Sequence, residues 1–153
     1  MTVVRLAALD DIDELVQMRW DFSEEDYGSS TVRFEEFHRT CREFLVNAIP
    51  SGNWFIWVAE TEGMIVAHMY LQLIHKVPRP GKSEEPYFGY VTNVYTRPPF
   101  RKQGIGSMIH NAMEQWSKEN QVEFLIVWPS TESVQFYSRN GFSRCEEAME
   151  KHW

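Results

Sequence analysis

Cysteine is scarce: Cys41 and Cys145 are the two thiols in 153 residues, and they show no C-x-x-C spacing. A disulfide framework and a thiolate zinc site are thereby excluded, and a reduced compartment with buried or inert thiols is expected. No histidine stands in a cluster of cysteine and acidic residues with metal-ligand spacing, so no metal site is expected. Long apolar runs are missing too, since none approaches the roughly 20 residues of a membrane helix. The opening MTVVRLAALDDIDEL is too acidic and too weakly apolar for a signal peptide. A soluble, cytoplasmic protein without a membrane partner is the expectation. Positive charge is outnumbered, 15 Lys and Arg against 22 Asp and Glu for a net charge of -7, which argues against general nucleic-acid binding. What is plentiful is core material: 43% hydrophobic and 14% aromatic residues. Without repeats or linkers, residues 1–153 read as a single domain able to bury roughly 70% of its unfolded surface.

The elements alternate as in a mixed α/β chain. Val3–Ala7 reads as a short β-branched strand. Asp10 or Asp11 can cap a helix, with Glu14 at capping-box distance from Asp11 and an apolar stripe of Ile12, Leu15, Val16 and Met18 or Arg19, reaching Phe22. A second helix starts near Thr31, with Phe34, Phe37, Cys41 and Phe44-Leu45 on one face, and closes at Pro50-Ser51-Gly52. Trp54–Glu60 and Met64–His75 form a hairpin turning at Thr61-Glu62-Gly63. Lys76–Pro86 is a loop, Tyr87–Thr96 and Glu123–Trp128 are strands, and Phe142–Glu150 is one more strand or a β-meander.

The most informative stretch is Val94–Gln115, VYTRPPFRKQGIGSMIHNAMEQ. A strand ends at Pro98-Pro99, the basic pair Arg101-Lys102 follows, and Gly104-Ile105-Gly106 opens into a helix with Met108, Ile109, Ala112, Met113 and Trp116 on one face. Glycines that let backbone approach a phosphate, ahead of a helix N-terminus with free N–H groups, describe a site for a polyanion. It is not a dinucleotide fingerprint, because Ile109 stands at the place of the third glycine, and no P-loop string occurs. The basic cluster of Arg97, Arg101 and Lys102 contrasts with the acidic run of Asp21, Glu24, Glu25 and Asp26. The chain thus offers a basic end for an anionic cofactor and an acidic segment suited either to a cationic acceptor or simply to solvent.

R-x-x-G-x-G, Arg101 to Gly106, resembles the acetyl-CoA pyrophosphate loop of the GCN5-related N-acetyltransferase (GNAT) superfamily. The later stretch PSTESVQFYSRNGF, Pro129 to Phe142, resembles that family's second motif through Phe136, Tyr137, Gly141 and Phe142. Ser130 stands where the family usually has Asn, Ser133 where it usually has Ala, and Thr96 where it mostly has Val. The resemblance implies an α+β fold with a mixed sheet of six to seven strands and about four helices. It also implies that the strands before and after the long helix splay into a V that takes the pantetheine arm.

On matching positions, it implies that the backbone of Val94, Tyr95 and Thr96 pairs with pantetheine. Arg101, Lys102 and the N–H groups of Gln103, Gly104, Ile105, Gly106 and Ser107 would receive the pyrophosphate, with Ser130 also at the cofactor. Tyr137 would be the catalytic residue, donating to the sulfur of CoA. The implied activity is N-acetylation of a primary amine by acetyl-CoA through direct attack in a ternary complex. The acidic segment favours a small cationic amine over a protein amine; a non-catalytic acyl-CoA binder is the alternative. The general base is open among Glu84, Glu85, Tyr90, Thr92, Glu24 and Glu25. Trp20 and Trp54 are candidates for the acceptor pocket. His68 and His75, separated by an odd number, belong on opposite faces of their strand, and His110 off the main apolar stripe. Oligomeric state is open, a homodimer being the commonest closed form.

Overall fold

A computed structural model describes residues 1–80 and 85–153. Five strands, β1 (Thr2–Leu6), β2 (Trp54–Thr61), β3 (Met64–His75), β4 (Tyr87–Thr96) and β5 (Val122–Val127), lie side by side in chain order. Neighbours from β1 to β4 are antiparallel, and β4 and β5 are parallel. Parallel neighbours need a crossover, and the helix α3 (Ile105–Glu119) provides it. The other helices are α1 (Ile12–Tyr27), α2 (Phe34–Ala48) and the short α4 (Val134–Arg139).

Alternation along the strands divides the core in two. One face of the sheet sends Trp57, Met69, Leu71, Leu73 and Val91 against Ile105, Ile109 and Met113 of α3 and against Tyr137. The other sends Ile56, Val58, Ile65, Tyr70 and Tyr95 against Ile12, Leu15, Val16 and Met18 of α1 and Leu45 of α2. His68 packs against Tyr70 and Tyr95 on this second face, while His75 meets Tyr87 on the first, as the odd spacing requires.

Several expectations are corrected. Among the described residues the sheet has five strands rather than six to seven: Phe142–Glu150 forms neither strand nor meander, because past the Phe142 N–H, which donates to Tyr137 O, no neighbouring strand takes up its backbone groups. Asp11 and Glu14 make no capping box. The Asp11 carboxylate accepts the Ala8 N–H (2.7 Å) and a two-armed bond from Arg5 (2.8 and 3.0 Å), which hold it below the usual carboxylate range. Glu14 instead accepts the Ile65 N–H at 2.8 Å. The second helix begins at Phe34, not Thr31, since Arg33 is still extended. Met108 turns to solvent at 41% exposure, whereas His110 is buried between Phe136 and Phe142, because α4 covers that flank of α3. Cys41 is half-buried, but Cys145 is exposed, since the stretch around it packs on nothing. Glu84 lies outside the described residues.

Candidate functional site

β4 carries the site because its two flanks differ. Its ladder with β5 runs from Tyr87↔Val122 to Val91↔Val127 and stops. Its ladder with β3 continues to Thr96↔Ala67. Beyond Val91 the strands part, so the flank of residues 92–96 that faced β5 has no strand beside it. Asn93 marks the change with φ of +50°, and the register with β3 shifts there, opposite His68 and Tyr70. Val94 turns to the α3 side of the sheet and Tyr95 to the α1 side, where it stacks on Phe22 at 4.9 Å.

The chain leaves β4 through a 3-10 turn at Pro98–Phe100 and reaches α3 through Gly104, the N-cap, at φ of +79°. A left-handed N-cap favours glycine. Gly106 is small for a different reason: a Cβ there would lie 3.0 Å from the Phe136 ring. Among the described residues, none of the backbone N–H groups of Lys102 through Ser107 donates a hydrogen bond, and the first helical bond at this end is Met108 N–H to Gly104 O. Six donors in a row at the positive end of a helix dipole suit an anion.

The arginines are arranged otherwise than their proximity to this loop suggests. Arg101 donates two bonds to the Glu25 carboxylate (2.6 and 2.8 Å) and its Nε–H to Thr96 O (2.8 Å), and its guanidinium lies 5.5 Å from the Tyr95 ring. Arg101 lowers the Glu25 pKa, and Glu25 raises that of Arg101. Arg97 bonds Ile65 O and lies 3.6 Å from Asp21 and 3.8 Å from Glu14. Basic end and acidic segment therefore face each other. Glu14, Asp21 and Glu25 fall near one side of α1, and the last two oppose its dipole at the C-terminal half. The arginines offset that charge. Lys102, exposed at φ of +62°, keeps its ammonium free of any ion pair among the described residues.

Tyr137, 6% exposed, lies on α4 between Phe136 and Phe142. Burial, with a smaller effect of Tyr90, pushes its phenol up to about 12, and its hydroxyl has no hydrogen-bond partner among the described residues. Tyr90 on β4 meets Trp128, the residue just past β5, edge-on at 5.0 Å beside the cleft. Ser130 caps the 3-10 turn that precedes α4 and bonds Ser133 Oγ at 3.0 Å, and Asn140 Nδ2 reaches Ser107 Oγ at 3.5 Å. Phe136, one of the second-motif residues, packs against Gly106 at the start of α3; Asn140, which also joins α4 to that start, was not singled out in the sequence, and the short F-x-x-x-N spacing ahead of Gly141 was the available signal. Trp20 is packed against Phe34 and Phe37 between α1 and α2. Trp54 contacts Phe44 and lines an open depression of about 440 Å³ with α2. In register, Trp54 is level with Gln72 and Tyr90, away from the glycine loop.

The acetyltransferase (GNAT) family model matches residues 12–142, which spans the parted strands, the glycine loop and α4. The chain belongs to the GNAT acetyltransferase family. Solved structures agree on the fold. A predicted acetyltransferase with acetyl-CoA from Clostridium acetobutylicum superposes with a TM-score of 0.84 at 22% identity, over 99% of this chain and 96% of that one. A GCN5-related N-acetyltransferase from Ralstonia eutropha JMP134 gives 0.80 at 24% identity, over 99% of each. Glucosamine-6-phosphate N-acetyltransferase from Arabidopsis thaliana gives 0.72 at 20% identity, over 100% of this chain and 99% of the other. No curated protein matches the chain. Among the described residues no helix is long and apolar enough to cross a membrane, and no group of three or more His, Cys, Asp and Glu is placed to hold a metal ion.

Proposed function

We propose that this GNAT chain moves an acetyl group from acetyl-CoA to a primary amine by direct attack in a ternary complex. The observation that carries the proposal is the run of undonated N–H groups from Lys102 to Ser107, placed directly after the open flank of β4. Those N–H groups and the Lys102 ammonium would hold a pyrophosphate, joined by Arg101 once it exchanges Glu25 for phosphate. The open backbone of Val94, Tyr95 and Thr96 would pair with pantetheine, and Ser130 would lie beside the cofactor. When bound, acetyl-CoA supplies the thioester carbonyl that the amine attacks.

Tyr137 acts on the leaving sulfur. With its phenol near 12 against about 8.5 for a thiol, full proton transfer to a thiolate would be uphill by about 5 kcal/mol. Tyr137 therefore works as a hydrogen-bond donor to developing charge rather than as a proton source. The amine's proton is assigned to water held by Tyr90, near the end of the part of β4 that pairs with β5, or by Thr92, where the open part begins. Holding both reactants together supplies much of the rate. Of the acidic stretch, Glu24 and Asp26 have no ion pair among the described residues, and they favour a small cationic amine as acceptor.

Thermal unfolding with and without millimolar acetyl-CoA, beside NAD and ATP, tests the binding claim. Acetyl-CoA at 100 times its Kd should add about 2.7 kcal/mol. A panel of amines should then release thiol, and Tyr137→Phe should lower kcat about 100-fold while leaving the thermal shift and the unliganded Tm in place. A shift with no transfer to any amine would support the acyl-CoA-binding alternative, and no shift at all would sink both.

A further inference from the structure

Three arginines are half-buried: Arg5, Arg19 and Arg97. A guanidinium taken partly out of water needs an anion or a full set of acceptors to offset its lost hydration. Arg5 has Asp11 and Glu60, and Arg97 has Glu14 and Asp21. Arg19 has no carboxylate partner among the described residues. Its Nη1 donates one long bond, 3.3 Å, to the Asn93 side-chain oxygen, and its Cζ lies 5.4 Å from the centre of the Phe22 ring. The rest of its five N–H donors find no acceptor among the described residues.

The place of this guanidinium matters as much as its isolation. Its charge acts on Cys41 of α2 and on His68 and Tyr70 of β3. Burial favours the neutral form of each of the three, so none of them answers the charge. Arg97, the other charged group acting on His68, is positive as well. Asn93, the hydrogen-bond partner of Arg19, stands at φ of +50° just beyond Val91, where β4 loses β5 and its open flank begins. A half-buried positive fork is thus held one side chain away from the backbone left available to a ligand.

We propose that Arg19 binds a carboxylate on the acceptor, which makes the acceptor a short amino acid, with an amine at one end to attack the thioester and a carboxylate at the other. The planar fork of an arginine takes a carboxylate through two parallel hydrogen bonds. Those two oxygens satisfy donors that no described residue satisfies. Holding the carboxylate at Arg19 also fixes where the amine lies relative to the open flank of β4, so one contact both selects and orients. The inference rests on the acyl-transfer reading and narrows its amine to one that carries both charges.

Thiol release from acetyl-CoA tests it with amino acids of neutral side chain, each beside its carboxamide, and with alkylamines and O-phosphoethanolamine. The best free acid should exceed its carboxamide by about 100-fold or more in kcat/KM, mostly through KM. Arg19→Gln should bring that ratio within about threefold while the thermal shift with acetyl-CoA persists, and Arg19→Lys, which keeps the charge but not the fork, should fall between. Calorimetric titration of the same acids into the CoA-loaded protein separates the two claims. Binding that Arg19→Gln removes, without thiol release from any amine, upholds the carboxylate site and sinks the transfer reading. Binding of no acid, equal use of acid and carboxamide, or better use of the alkylamines or of phosphoethanolamine overturns the proposal. So does an Arg19→Gln protein that binds acetyl-CoA and keeps the advantage of the acid. Should that variant fail to fold, the comparison of acid with carboxamide on the unaltered chain decides alone.

Discussion

From Tyr87 to Val91, β4 is hydrogen-bonded on both flanks, by β3 and by β5; from Thr92 to Thr96 only β3 remains. Side chains do not distinguish the halves, since aromatic and β-branched residues occupy both. The neighbour does. In the closed half the backbone is structural, and Gly89 lets the side chains of Leu71 and Leu125 close over it, an added Cβ falling 2.7 and 2.8 Å from them. In the open half the backbone is left available to a ligand, and the glycines of the following loop, Gly104 and Gly106, serve φ and the approach of Phe136. One strand is thus core over its first part and site over its second, and the parting of β5 makes the difference.

Acid should break the open half most strongly. His68, opposite Tyr95, donates its Nδ1–H to Asn93 O at 2.8 Å, and its Nε2 is buried without a partner. Burial lowers its pKa from 6.5 to about 4. Between those values the unfolded chain takes up a proton that the folded chain refuses, so stability falls as pH falls, by about 3 kcal/mol in total. His110, lowered by burial as well, adds to the same trend. Denaturant titrations from pH 7 to pH 4 should show the loss, and His68→Gln should flatten the slope. An unchanged slope in that variant would show that His68 is not the cause.

Paired glycine substitutions sharpen the contrast at intermediate size. Gly89→Ala should cost about 1–3 kcal/mol through overpacking of the two leucines, seen as a lower Tm, while the acetyl-CoA shift of the folded protein persists. Gly104→Val should cost about 1–2 kcal/mol for a branched residue at positive φ, and the acetyl-CoA shift should vanish with it. If both variants lose the shift alike, the two halves are not functionally distinct.

The smallest effect belongs to the Arg101–Glu25 pair. Both partners are near 40% exposed, so the pair contributes about 0.2–1 kcal/mol. Glu25→Gln should barely move Tm. Because it frees Arg101 for phosphate, it should tighten acetyl-CoA binding a few-fold in a direct titration. Weaker binding would instead make the pair a brace that holds the loop in shape.

Much of this was legible in the chain, and what was not shares a cause. The hairpin, the three long helices and the glycine turn depend on contacts only a few residues apart, which periodicity and turn chemistry report. Arg101 and Glu25 are 76 residues apart, so nothing in either neighbourhood announces their pairing, and the acidic run read instead as either an acceptor surface or a solvated helix end. His110 read as peripheral because its burial comes from Phe136 and Phe142 on another helix. Phe142–Glu150 was expected as a strand, but a strand exists only where a neighbour takes its hydrogen bonds, and its Glu and Ala residues do not favour one.

By itself the sequence determined the order and kind of nearly every element, the family, and the loop from Arg101 to Gly106, because these rest on local spacing and on backbone freedom at particular glycines. Only the tertiary structure decided where β5 leaves β4, which carboxylates hold the arginines, and that Tyr137 is buried with no partner for its hydroxyl among the described residues. Each depends on which distant residues become neighbours, and burial, charge pairing and hydrogen bonding are properties of those neighbours rather than of the residue.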